Sequence, residues 1–331
     1  MPEGSPAKVR ISIGSAIVLG LADGLVDAAP TTVYMLTYRQ GKCSANCAFC
    51  PQSKRSGARA DMLSRVVWPV FQTADAVHRI AEAFGEGKIR RVCVQALNYP
   101  AVQGDVASLA RRIRSLSDVP ISVSCQPLKG EDMAKLAEAG VNRISIALDA
   151  VTAELFEKVK GASISGPYRW DEHFAALEEA VRVFGRGAVT THLIAGLGEN
   201  EAELVSMIQR CVDLGVYPAL FAFTPIAGTA MATMPPPSLG YYRRAQLAHY
   251  LVTCGMKRFE EMKFRDGCFV DFGLPNVELR RIIRTGAPFR TSGCPDCNRP
   301  YYNERPGGSM YNYPRPPTAE ETAEIERQMG L

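Results

Sequence analysis

The sequence predicts an α/β protein built on a full or partial (β/α) barrel of the TIM type, followed by a C-terminal extension. From about residue 32 to residue 230, short apolar runs alternate with amphipathic segments, and this pattern indicates a parallel sheet covered by helices. The chain has 331 residues, 47% of them hydrophobic and 22% charged, which is enough for six or more such units around a sizeable core. That number of units favours a closed or partly closed barrel over an open sheet.

Each predicted element follows from a local pattern. Short apolar runs predict strands, and apolar residues spaced three and four apart predict helices. Thr73 is a suitable cap for the first long helix, and Gly140 ends a later one. In chain order, the predicted strands cover residues 32–37, 89–95, 121–125, 144–149, 188–195 and 220–224, and the helices between and after them include residues 131–139, 152–159, 201–214 and 241–254.

The domain organisation follows from the range of the alternation. We predict an N-terminal extension over residues 1–31, a barrel core over 32–230, and a C-terminal part over 231–331 that completes the barrel and carries a cysteine-containing tail. The longest early apolar run, 16–22, is too short for a membrane span, so we expect a cytoplasmic protein. The net charge of +4 favours neither a nucleic acid nor a membrane as partner.

Ten cysteines in a chain without an export signal suggest metal rather than disulfides. Cys43, Cys47 and Cys50 form a C-x3-C-x2-C loop directly after the first predicted barrel strand. Three thiolates on one short loop can hold three irons of a four-iron cluster and leave the fourth iron open. Zinc is the alternative, but its sites usually draw on two cysteine pairs, and no partner pair lies nearby. Phe49, directly before the third cysteine, also favours the iron–sulfur interpretation.

With its Pro51-Gln52-Ser53 ending, the cysteine loop resembles that of biotin synthase in the radical S-adenosylmethionine superfamily, and the resemblance extends over about residues 32–230. It implies that the three cysteines hold a [4Fe–4S] cluster that binds S-adenosylmethionine. Asp149 matches the strand-end acid that holds the ribose, and the glycine-rich turn over residues 194–199 matches the segment beside the adenine. The cofactor-binding residues that we predict are Phe49, Gln95, Asp149, Ile194, Gly196, Gly198 and Glu199.

A second, sulfur-donating cluster is also implied, because biotin synthase holds one on three cysteines and an arginine. Cys93 and Cys125 fall near two of those cysteines, but Thr190 stands at the third position. Cys294 and Cys297, a C-x2-C pair in the tail, could supply the missing ligands, with Cys268 as a further option. A zinc knuckle or a redox pair is the alternative for such a pair.

The tail around Cys294 resembles one member of a two-protein, biotin-synthase-like system that makes lipoyl cofactor. The resemblance implies sulfur insertion into an octanoyl chain on a lipoyl carrier protein, together with a paralogous radical enzyme and an electron donor such as ferredoxin. Biotin synthesis and a radical reaction without sulfur transfer remain alternatives, as does a non-enzymatic zinc protein. Arg243 and Arg244 could contact an acidic carrier or form an ordinary solvated helix face. His192 could contact substrate or simply pack in the core.

Overall fold

The computed structural model describes residues 6–330, and its centre is an eight-stranded sheet in the order β10-β9-β8-β7-β6-β2-β1-β5. β2 and β6 to β10 are parallel, whereas β1 pairs antiparallel with β2 and β5. The strands are β1 (Lys8–Ile11), β2 (Thr32–Thr37), β3 (Met62–Leu63), β4 (Val66–Val67), β5 (Val70–Gln72), β6 (Arg91–Gln95), β7 (Ile121–Cys125), β8 (Val141–Ile146), β9 (Val189–Ala195), β10 (Val216–Ala222), β11 (Lys263–Arg265) and β12 (Cys268–Asp271).

Helices follow the parallel strands and cover the sheet, which confirms the predicted α/β class and gives a partial barrel of six parallel strands. Their apolar faces join the strands in one large core. The helices are α1 (Ile13–Val18), α2 (Thr73–Gly85), α3 (Val102–Arg114), α4 (Gly130–Glu138), α5 (Ala153–Val159), α6 (Trp170–Phe184), α7 (Glu201–Leu214), α8 (Leu239–Thr253), α9 (Asn276–Arg284) and α10 (Ala319–Met329).

Two predicted strands differ from the observed ones for local reasons. β8 begins and ends three residues earlier than expected, and Asp149, which we placed at the strand end, has a left-handed φ of 69°. β10 begins four residues earlier than expected. The predicted start was too late because Pro218 lies within the observed strand, and a proline argues against a strand. The proline is tolerated because β10 is an edge strand with one neighbour in the sheet.

The C-terminal part closes the barrel in a different way from the expected completion. Among the described residues after 230, none adds a strand to the eight-stranded sheet. Instead, residues 291–303 run across the opening between β10 and β2. Ser292 Oγ accepts from the Leu220 amide of β10, and the Arg299 amide donates to the Tyr34 hydroxyl of β2. In the described part of the chain, no helix has the length and apolarity needed to cross a membrane.

Candidate functional site

A cavity of about 190 Å³ occupies the barrel interior and brings together most of the residues singled out from the sequence. Its wall is mainly apolar and includes Ala219, Phe221 and Phe223. The cysteine loop lies at one end and the C-terminal tail at the other. The predicted residues that line it are Phe49, Cys50, Cys93, Gln95, Asp149, Ile194, Cys294 and Cys297.

The cysteine loop follows β2 and is held by backbone hydrogen bonds from within the loop and from neighbouring segments. The amides of Ala45 and Asn98 donate to Cys43 Sγ, at 3.4 and 3.2 Å. The loop also rests on the end of α5, where the Ala48 amide donates to the Val159 carbonyl. Amide donors aimed at a sulfur stabilise a thiolate, so this donor arrangement suits a metal-bound cysteine.

The three thiols of the loop lie close enough to influence one another. Burial raises the pKa of Cys50 to about 12, while amide donors from Gln52 and Ser53 act against this. Burial also raises the pKa of Cys47. Among residues 6–330, no three His, Cys, Asp or Glu side chains converge as they would around a single ion. A four-iron cluster fits this spacing better than zinc does, because each thiolate binds a different iron.

Asp149 is paired with a lysine that the sequence analysis did not identify. Lys160 Nζ lies 2.6 Å from Asp149 Oδ2, and the side chains are 0% and 8% exposed, respectively. The same ammonium group donates to the Ala147 carbonyl and lies near the rings of Phe156 and Tyr168. One carboxylate oxygen of Asp149 is therefore already engaged, so ribose binding by this residue stays a prediction. Lys160 follows a helix and not a strand, which is why strand-end reasoning missed it.

The glycine-rich turn has a structural role that the sequence does not reveal. Glu199 accepts from the amides of Gly196 and Leu197 and from the Tyr241 hydroxyl, so its carboxylate holds the turn together. Gly196 has φ of 99°, and a Cβ there would lie 2.8 Å from Pro237. Close packing on the proline, together with the left-handed backbone, already explains this glycine. Adenine binding by Gly196, Gly198 and Glu199 stays a prediction.

A second group of thiols lies deeper in the cavity. Cys93 of β6 is inside the barrel, between Tyr34 of β2 and Ser122 of β7 in the strand register. The tail brings Cys294 to Ser122, with Oγ–Sγ 3.5 Å, and Cys297 to Tyr34, with OH–Sγ 3.3 Å. Burial raises the pKa of Cys93, and the neighbouring thiols Cys294 and Cys297 add to this effect. These three predicted candidates therefore share one end of the cavity.

Arg299 lies beside these thiols and was not predicted. Its guanidinium lies 3.6 Å from the centre of the Phe221 ring and contributes to lowering the pKa of the Cys297 thiol against the effect of burial. Among the described residues, its buried Nη1 and the buried Tyr302 hydroxyl have no hydrogen-bond partner. Buried polar atoms without partners are costly unless something binds them. Three thiols, a guanidinium and an unpaired hydroxyl around one space fit a second iron–sulfur cluster.

The assignment of Cys125 to a second cluster is wrong. Successive side chains of a strand point to opposite faces, and Cys125 shares its face with Ile121 rather than with Ser122. Its thiol is buried among residues of α3 and α4 outside the barrel and donates to the Ser145 carbonyl. Cys268 is exposed on the β11–β12 hairpin and does not line the cavity, so it too is excluded.

His192 lines the cavity and packs against Phe221, with ring centres 4.8 Å apart. Burial lowers its pKa to about 4, so the imidazole is neutral at pH 7.

Arg243 and Arg244 do not form a docking face. Arg243 is 1% exposed and donates to the Tyr311 carbonyl, while Arg244 pairs with the buried Glu201.

Comparison with known proteins agrees with this geometry. A family model described as the Radical SAM superfamily matches residues 37–211, more than half of the chain. Biotin synthase of Desulfotalea psychrophila is 29% identical over 198 residues, which cover 60% of this chain and 56% of that enzyme. Biotin synthase of Oleidesulfovibrio alaskensis is 30% identical over 210 residues, covering 62% and 60%. The chain thus matches less than two thirds of the length of these relatives.

Solved structures share the fold at low identity. Methylornithine synthase aligns with a TM-score of 0.51 and 14% identity, covering 68% of this chain and 63% of that chain. The FeFe-hydrogenase maturase HydG from Carboxydothermus hydrogenoformans aligns with a TM-score of 0.52 and 17% identity, covering 67% and 51%. The tail pair, Cys294 and Cys297, lies beyond the matched family region. With more than half of its length matched by the family model and its three loop cysteines at the mouth of a partial barrel, the chain belongs to the radical SAM superfamily.

Proposed function

We propose that this enzyme inserts sulfur into an unactivated C–H bond of an octanoyl chain carried on a lipoyl carrier protein, as a lipoyl synthase does. The observation that carries the proposal is the second thiol group. Cys93, Cys294 and Cys297 line the same cavity as Cys50 of the loop, and Arg299 lies beside them. A reaction without sulfur transfer consumes no second cluster, so it does not by itself require this second set of buried thiols.

The residues at the mouth of the barrel bind and orient the cofactor. Cys43, Cys47 and Cys50 hold the [4Fe–4S] cluster, and Asp149 stands beside them, fixed by Lys160. When bound, the cluster and S-adenosylmethionine supply a 5′-deoxyadenosyl radical that removes hydrogen from carbon. The apolar wall limits the access of water to the reacting carbon. The same wall suits an aliphatic chain, which it can bind by burial alone.

The second cluster serves as the sulfur substrate in this proposal. Cys93, Cys294 and Cys297 hold it, and Arg299 and the Tyr302 hydroxyl supply the polar groups that lack partners within the described residues. The carbon radical left by hydrogen removal would bond to a bridging sulfide of this cluster. One iron would take up the electron, the Fe–S bonds of that sulfide would break, and the cluster would be consumed. A paralogous radical enzyme inserts the other sulfur, and an electron donor such as ferredoxin supplies electrons to the first cluster.

Biotin synthesis is the second candidate, and the curated relatives named biotin synthase favour it. It would use the same second cluster with a different apolar substrate. Biotin synthesis and lipoyl synthesis both need a sulfur-donating cluster but act on different substrates. A rearrangement without sulfur transfer needs no sulfur-donating cluster. Two measurements therefore separate the three possibilities.

The first measurement counts iron in anaerobically reconstituted protein. We expect about eight irons per chain from two four-iron clusters, and about four in a Cys294→Ser/Cys297→Ser variant. That variant should still form 5′-deoxyadenosine, because its first cluster is intact. Cys268→Ser is the matched control, since this thiol is exposed and outside the cavity. About four irons in the wild-type protein would refute the second cluster.

The second measurement identifies the substrate. The holoenzyme is incubated with reductant, S-adenosylmethionine and either an octanoyl-lysine peptide or dethiobiotin, and products are detected by mass. The proposal predicts a thiolated peptide that is absent with Cys294→Ser/Cys297→Ser and present with Cys268→Ser. Conversion of dethiobiotin alone would establish the biotin alternative. A failure to thiolate the peptide, with and without a paralogous partner enzyme, would overturn lipoyl synthesis.

A further inference from the structure

An open cleft of about 670 Å³ adjoins the cavity from outside. The two spaces share Phe223, Thr224, Ile226 and Asn303 in their walls. A substrate that reaches the barrel interior by this route must keep its remaining part in the cleft. The cleft is therefore where a carrier would contact the enzyme while its acyl chain is inside.

Three arginines line the cleft: Arg59, Arg65 and Arg305. Arg59 is neutralised by Asp61, to which it donates two hydrogen bonds of 2.9 and 2.6 Å. Arg65 is half-buried, and its pKa is lowered by burial and by the like charge of Arg305. Among the described residues, neither Arg65 nor Arg305 forms a salt bridge. Two guanidinium groups thus repel each other at the entrance.

Glu304 is the nearest acid, and it is occupied. Its side chain is buried and accepts from the amides of Asn303, Tyr311 and Asn312. Arg65 donates only to its backbone carbonyl. The Glu304 carboxylate raises the pKa of Arg65 and offsets part of the positive charge of the two arginines, so the cleft keeps an excess of positive charge. A guanidinium suits a carboxylate because it can donate two parallel hydrogen bonds.

Part of the cleft wall consists of small residues. They are Gly57, Ala58, Ala227 and Gly228, and the Gly57 amide donates to the Gly228 carbonyl. A Cβ on Gly228 would lie 2.5 Å from the Ala58 amide nitrogen, so the two segments touch through their backbones. Small residues leave room for a polypeptide, whereas a free fatty acid would need only one cation at the cavity mouth.

We propose that Arg65 and Arg305 bind carboxylate side chains of an acidic carrier segment that flanks the acylated lysine. This inference rests on the proposed function, since it takes the substrate to be a protein-bound acyl chain. Arg65 and Arg305 are thus the proposed contact for an acidic carrier in place of Arg243 and Arg244, which are engaged inside the fold. The attraction steers the carrier to the cavity mouth and weakens with salt.

Binding to the holoenzyme tests the proposal. The probes are two fluorescent octanoyl-lysine peptides, one with Asp and Glu around the lysine and one with Asn and Gln in their place. Fluorescence anisotropy should show tighter binding of the acidic peptide, and salt should remove the difference. Arg305→Gln, at an exposed position, should weaken acidic-peptide binding about three- to fivefold, and Arg65→Gln similarly. Arg280→Gln on α9 is the control and should change nothing.

The outcomes separate docking from chemistry. If the two peptides bind the wild-type protein equally, or if Arg305→Gln weakens both equally, the docking proposal is overturned. Displacement of the acidic peptide by free octanoate in the wild-type protein but not in Arg305→Gln would also overturn it, because the site would then be one for a fatty acid. If the acidic peptide binds through both arginines but is not thiolated, docking stands and the proposed sulfur insertion fails. Equal thiolation efficiency for both peptides leaves the chemistry intact and refutes docking.

Discussion

Replacing Lys160 with methionine should destabilise the folded protein by about 3–5 kcal/mol. The ammonium group of Lys160 is fully buried and lies 2.6 Å from Asp149 Oδ2. Methionine has a similar length but no charge, so the variant leaves a buried carboxylate without its partner. The prediction concerns the ion pair beside the cluster loop, so it links the stability of the fold to the geometry of the site.

The size of the effect follows from three interactions of one ammonium group. It pairs with Asp149, donates to the Ala147 carbonyl, and lies 5.3 and 5.9 Å from the ring centres of Tyr168 and Phe156. Removing one partner of a buried pair leaves the full desolvation cost of the other. The loss should therefore be several times that of a surface pair.

The assay is denaturant unfolding, performed anaerobically and monitored by far-UV circular dichroism. Lys158→Met is the matched control, because Lys158 lies two residues away on the surface and pairs with Glu154 one helical turn earlier. Its loss should cost about 0.3–0.5 kcal/mol. The double variant Asp149→Asn/Lys160→Met should recover part of the loss, since it removes both charges.

Two results would refute this reasoning. If Lys160→Met costs no more than Lys158→Met, the buried pair does not stabilise the fold. If the double variant loses the sum of the single losses, Asp149 and Lys160 are not coupled. Either result would mean that Asp149 is positioned by its backbone alone, which pairs with His192 and Ile194 of β9.

Three further predictions concern other parts of the molecule. Gly196→Ala should cost about 1–3 kcal/mol more than Gly185→Ala on denaturant unfolding, because both glycines have positive φ but only the first would press a methyl group against a proline ring. An equal cost would show that packing at the turn is unimportant. Burial lowers the pKa of His249 to about 4 from 6.5, so its neutral form stabilises the fold above pH 6.5, and this contribution is lost as the pH falls towards 4. Between pH 7 and 5 this group should account for roughly 2 kcal/mol of lost stability, and a His249→Gln variant with an unchanged pH dependence would contradict the assignment. Tyr34→Phe should cost about 1 kcal/mol and change the electron paramagnetic resonance signal of the second cluster, because its hydroxyl lies 3.3 Å from Cys297 Sγ; an unchanged spectrum would argue against this contact.

Features that depend on neighbouring residues in the chain could be predicted from the sequence. The spacing of Cys43, Cys47 and Cys50 indicates the cluster loop, because three ligands on eight residues are close in any fold. Strands such as Thr32–Thr37 and Ile121–Cys125 agree with their predicted bounds, since apolar runs bury themselves whatever surrounds them. The α/β class follows from the same repeated pattern.

Features that depend on which way a side chain points could not be predicted as well. Cys125 and Ser122 lie on one strand, and a difference of one position decides which of them faces the barrel interior. The predicted bounds of this strand were right, yet Cys125, whose side chain points away from the barrel interior, was assigned to the second cluster. Arg243 was expected at a surface for a similar reason, because an amphipathic pattern does not reveal that a later segment covers the helix. The segment that covers it contains Tyr311.

The sequence by itself determined the α/β class, the cluster loop and the presence of extra cysteines, because these rest on local spacing and composition. Only the tertiary structure decided that Cys93 and the tail pair share one cavity, about two hundred residues apart in the chain, and that Lys160 fixes Asp149. It alone shows two arginines, Arg65 and Arg305, that line the outer cleft and form no salt bridge within the described residues. The physical reason is that long-range contacts depend on how the tail crosses the barrel opening, and no local pattern in the chain specifies that path.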